Sequence, residues 1–149
     1  MKRNIAVAVA VVMAFGFFYK DLILESIAPD HAWATFSAYL EAAKNHDLEK
    51  LKNYSFSLSP ACLDETRKAE CDNLMDSVYG FGSELERSDF KHSKFNDKGG
   101  IIYTDYAEEG EMRFVLVFMR ENSELKISDI RYCLGKDTEK QCLEESYSF

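Results

Sequence analysis

Basic residues never gather into a block in this chain once Lys2 and Arg3 are passed. The formal net charge is −8, with a pI near 4.9. Phosphate backbones would be repelled rather than neutralised, so nucleic acid is excluded as a partner. A glycine-rich phosphate loop is missing, as are a His-Glu-x-x-His pair and a serine nucleophile elbow. Nucleotide, zinc-protease and α/β-hydrolase chemistry therefore have no sequence basis. No Cys-x-x-Cys occurs, which removes the usual redox dithiol. No cysteine closes the N-terminal apolar run, so there is no lipoprotein site.

What is present is enough for one domain with a core. The chain has 149 residues, 46% of them apolar and 13% aromatic, which sets it apart from disordered sequences. It opens with Lys2-Arg3 ahead of the apolar run from Ile5 to Tyr19. At about 1.5 Å per residue the run spans about 22 Å, short of a bilayer core of about 30 Å. Leu22, Ile23 and Leu24 extend it if Lys20 snorkels. The segment 1–27 is expected to be an uncleaved signal anchor. A cleaved signal peptide is the alternative, with Ala14-Phe15-Gly16 the nearest match to a cleavage site, and a buried core helix is a third reading. Under either of the first two the basic end stays inside and the remainder lies outside the cytoplasm, either membrane-anchored or secreted after cleavage.

Cys62 and Cys71 are nine apart, and so are Cys133 and Cys142. Zinc ligands usually come two to four residues apart, so metal is not expected. An even count on an exported chain points to disulfides, for which three connectivities exist. Local pairing, Cys62 with Cys71 and Cys133 with Cys142, is the simplest.

The stretch from Ala32 to Tyr54 carries the strongest periodicity. Ala32, Trp33, Phe36, Tyr39, Leu40 and Ala43 fall on one helical stripe, with Asp30 expected as N-cap after Pro29. Trp33, Phe36 and Leu40 are expected to be buried against the strand from Met112 to Arg120. Asn45 or His46 ends that helix, and Asp47 caps a second one with Leu48, Leu51 and Tyr54 on its apolar face. Ser55 to Pro60 is a turn or short strand, and Asp64 to Glu70 is charged and solvated. Cys71, Leu74, Met75, Val78 and Tyr79 predict a third amphipathic helix, stopped by Gly80 and Gly82. Phe90 to Phe95 reads as an edge strand bearing lysines, and Asp97 to Gly100 as a hairpin turn. Ile101 to Ala107, Met112 to Arg120 and Leu125 to Cys133 follow as strands. The central one is apolar on both faces, and the last needs a bulge near Ser128-Asp129. Helices followed by an antiparallel meander make an α+β fold. The tail 134–149 is acidic, with Cys142 its only expected hold.

Phe36, Tyr39-Leu40 and Asp47-Leu48 together resemble the opening of NTF2-like domains, a cystatin-like α+β superfamily that includes SnoaL-like proteins. There the first helix carries an F-x-x-A/Y-L face, and an Asp-hydrophobic pair begins the second. The resemblance covers residues 30–133 with the strands included, and implies a domain over 28–133 in which a curved sheet wraps the first helix around a pocket. Ser55 to Pro60 is shorter than the family's early strand pair. The architecture behind a single anchor also resembles the scaffold proteins of bacterial type IV secretion systems.

In enzymes of that family an Asp, His or Tyr within the cone serves as acid or base. Asp105, alternating with Tyr103, is the catalytic candidate here, weighed against a solvent-facing carboxylate. His46 and Asp47 are better explained as caps, His31 as a surface residue beside the first N-cap, and His92 lies on the expected edge strand. Trp33, Phe36, Tyr39, Tyr79 and Tyr103 are candidate ligand-binding residues, with core packing as the competing role. No cofactor is expected. The expected function is a non-catalytic, membrane-anchored ligand-binding or protein-interaction module, with a homodimer through the sheet face or a protein partner. The alternative is a small isomerase, dehydratase or cyclase using Asp105 and a tyrosine.

Overall fold

The computed structural model describes residues 26–93, 95–104, 112–134 and 147–148. The expected anchor over 1–27 lies outside them except for Ser26 and Ile27. Among the described residues, no helix is long and apolar enough to cross a membrane.

Among the described residues, four α-helices and a sheet make an α+β fold. Helix α1 occupies 26–44, α2 Leu48–Tyr54, α3 Pro60–Leu63 and α4 Lys68–Gly82. The strands are β1 Phe90–His92, β2 Gly99–Thr104, β3 Met112–Glu121 and β4 Glu124–Leu134. They form an antiparallel meander in chain order, and a two-residue β5, Tyr147–Ser148, pairs outside β4. The tail thus has a hold other than Cys142, which lies outside the described residues.

Helix α1 is packed on two sides. Ala28, Ala32, Phe36 and Leu40, four residues apart, share a core with Ile102, Leu116, Phe118 and Ile127 of the sheet and Val78 of α4. Ala42 and Ala43 turn instead toward Leu51 of α2 and Cys71 and Met75 of α4. Phe36 retains 1% of its surface and Leu40 8%, so both are core. Trp33 departs from the depth expected of it against β3. It is only partly buried and stacks on Phe90 of β1, ring centroids 5.5 Å apart, with Phe36 at 5.9 Å. Asp30 is not an N-cap, because the backbone is already helical at 26. Pro29 falls near the start of the described helix and the backbone runs through it as helix. The Asp30 carboxylate instead accepts from Arg87 Nε at 3.0 Å.

Glycines let the layers close. A Cβ on Gly82 would sit 2.7 Å from Leu40 Cδ2, so α4 crosses α1 where it has no side chain. Gly80 lies within α4 and does not end it, since a single glycine weakens a helix without breaking it. At Gly99, φ is +141° and a Cβ would fall 2.0 Å from the Phe118 carbonyl oxygen, so no other residue fits. Asn96 shapes the preceding turn by accepting from the amides of Lys98 and Gly99. The expected edge strand up to Phe95 shrinks to Phe90–His92, because Phe95 folds back over Gly100 into the core.

The bulge expected near Ser128-Asp129 is present. Val117 pairs with Asp129 and Phe118 with Ile127, leaving Ser128 as the extra residue, its hydroxyl donating to the Val117 carbonyl at 3.3 Å. Ile127 and Ile130, three apart, thereby both face the core. Asn122 and Ser123, both at positive φ, form the tight β3–β4 turn.

Phe36→Ala is expected to cost about 3–5 kcal/mol in chemical denaturation of the full chain, through lost transfer energy and the cavity left behind. Glu41→Ala, on the exposed side of α1, is expected to cost under about 0.5 kcal/mol. Equal losses would mean that α1 is not seated in the sheet.

Candidate functional site

Side chains fill the face of the sheet that α1 covers. Phe36 is core, and Tyr39 and Tyr79 are partly buried and pack against both the helix–sheet core and the cluster between the helices. Burial of the Tyr39 phenol pushes its pKa up to about 12. The Lys44 ammonium sits 5.7 Å from the centre of the Tyr79 ring. Trp33, Phe36, Tyr39 and Tyr79 are therefore gathered on one side of the sheet. Tyr103 is not with them. It pairs with Val115 on the opposite face, in a cluster with Ile101 and Val117. Asp105 and Tyr106 lie outside the described residues, as does Cys142 and with it the expected Cys133–Cys142 bridge.

The other titratable candidates sit at helix ends. Asp47 caps α2 by accepting from the Lys50 amide at 3.1 Å, and that hydrogen bond lowers its pKa. His46, with φ of 51°, ends the α1 turn. Its ring also reaches α4, with Nε2 2.7 Å from Asp76 Oδ1 and Nδ1 3.8 Å from Asp72 Oδ1. Capping was legible in the sequence, but this bridge was not, because Asp76 lies 30 positions away. His31 is exposed, as expected, and His92, on β1, is exposed too.

The Cys62–Cys71 disulfide is formed, with Cα atoms 4.8 Å apart, and it ties α3 to α4. Ser59 caps α3, and Pro60 occupies its first turn, where the missing amide hydrogen costs nothing. Beside this brace a cleft of about 620 Å³ opens between α2, α3 and α4. Leu48, Ala61, Met75 and the two half-cystines supply its apolar wall. Leu63, directly after Cys62, stands at its edge with 69% of its surface exposed. Among the described residues, no cluster of three or more His, Cys, Asp or Glu side chains is arranged to hold a metal ion.

Charge is uneven around this cleft. Lys52 pairs with Glu49 at 2.7 Å and Lys68 with Asp72 at 2.6 Å. Asp64 and Glu65 also line it, and neither makes an ion pair among the described residues. Asp64 accepts from the Thr66 hydroxyl and amide, and those bonds lower its pKa. The sequence signal that could have located this site is the Ser59-Pro60 helix start just before Cys62-Leu63.

Non-reducing peptide mapping is expected to join Cys62 with Cys71. Reduction should cost about 2.7 kcal/mol by loop-closure entropy, and a mapped link from Cys62 to Cys133 would contradict the geometry. Tyr39 gives a pH dependence. Its raised pKa stabilises the fold fully below the unfolded value of about 10, and that contribution is lost as pH rises toward about 12. Alkaline denaturation midpoints should therefore fall between about pH 10 and 12, and less so in Tyr39→Phe.

Comparison with family models, with curated proteins and with solved structures returns no match to this chain.

Proposed function

We propose that the chain is a non-catalytic NTF2-like interaction module, held outside the cytoplasm by its N-terminal apolar segment. The observation that carries this reading is the sheet face under α1, packed solid with buried side chains. Phe36, Ile102, Leu116 and Phe118 occupy the space in which a cone enzyme would bind substrate, each with 2% of its surface exposed or less. Support for the NTF2-like part comes from the long α1 seated in an antiparallel meander and from Asp47 starting the second helix. The Cys62–Cys71 disulfide fits an oxidising compartment. Lys2-Arg3 before the apolar run orients the chain with its N-terminus inside. A catalytic role for Asp105 with Tyr103 finds less support, since Tyr103 faces away from α1.

A reporter enzyme fused after Phe149 is expected to be active only outside the cytoplasm, and cytoplasmic activity would end the export reading. Mass spectrometry of the mature chain should find the apolar segment retained, whereas a start near Phe17 would make it a cleaved signal. In a fragment screen read by NMR, the Ile102 and Leu116 methyl signals should stay unmoved. Ligand contacts there would restore the enzyme.

A further inference from the structure

We infer that the cleft between α2, α3 and α4 is a docking site for a short segment of a partner protein, an apolar side chain flanked by lysine or arginine. This rests on the reading of the chain as an interaction module and names the surface it uses.

Three observations converge. The cleft volume, about 620 Å³, lies within the range of about 300–1,000 Å³ typical of ligand sites. Part of its wall is apolar, and Leu63 among the lining residues is the most exposed large apolar side chain among the described residues, at 69%. The backbone that carries Leu63 is pinned, by the disulfide through Cys62 and by the buried Ala61. The backbone under Leu63 is already ordered, so docking costs side-chain but little backbone freedom.

Charge selects the occupant. Both cleft lysines are already matched within their own elements, and Arg67, which acts on Asp64 at longer range, is itself paired with Glu70, so Asp64 and Glu65 leave the cleft with an acidic excess. A lysine or arginine beside the inserted apolar group would meet both carboxylates. A second copy of the chain brings a net charge of −8 to the same mouth, and an anionic lipid surface likewise brings like charge. A basic, partly apolar peptide is the occupant that the cleft fits on both counts.

The test uses the full chain in detergent micelles and fluorescent eight-residue probes. One probe carries a central leucine flanked by lysines, and the other has glutamate in place of every lysine. The lysine probe is expected to bind and the glutamate probe not to. Leu63→Ser should weaken binding about tenfold, the value of one lost leucine contact. The Asp64→Asn, Glu65→Gln double variant should weaken it about threefold and flatten its salt dependence. Unchanged non-reducing mobility and an unchanged melting temperature would show that each variant keeps its fold. Equal binding of the lysine probe to Leu63→Ser would reduce the effect to general attraction by an acidic chain and overturn the proposal. Failure of both probes would overturn it too, leaving the interaction reading to its own topology and fragment tests. Self-association that disappears in Leu63→Ser would overturn it by assigning the cleft to a second copy instead.

Discussion

The seating of α1 in the sheet is the constraint on which the other elements depend. Phe36 and Leu40 face Leu116 and Phe118 across one core, while Ala42 and Ala43 on the same helix back onto α2 and α4. One helix is therefore the middle layer between sheet and helical lobe. Close approach is possible because glycines stand at the crossings, Gly82 against Leu40 and Gly99 against the Phe118 carbonyl. The Ser128 bulge then re-aims β4 so that Ile127 and Ile130 both join this core.

The sheet face under α1 is filled by buried side chains. The helical lobe has a different character from the core. It is braced by a disulfide, laced with short ion pairs and bears an exposed leucine. Removing a native disulfide from a small domain costs about 2–5 kcal/mol, so a brace on a four-residue helix holds more than the helix itself could. What it holds is the position of α3 beside the cleft.

Much of the fold was legible because it is periodic. The i, i+4 run on α1, the capping role of Asp47, the apolar run Phe114 to Met119 in β3 and the broken parity of β4 each reflect one local physical rule. The misses are tertiary. Nothing local says that Trp33 stops at the β1 edge while Phe36, three residues on, is fully enclosed. The four residues of α3 are too few to show a period. The bridge from His46 to Asp76 and the separation of Tyr103 from the other aromatics exist only once the layers are stacked. Alternation along β2 did place Tyr103 on a single face, but the side that α1 covers is decided by Ile102 and Leu116, which are both fully buried.

Native-state hydrogen exchange of the full chain tests the central claim most directly, because it reports whether elements open together. If α1 is the middle layer, the amides of Phe36 to Leu40 should exchange only through global unfolding, with the same opening free energy as those of Ile102, Leu116 and Ile127. Faster exchange of the α1 amides, by an opening that leaves the sheet protected, would contradict it.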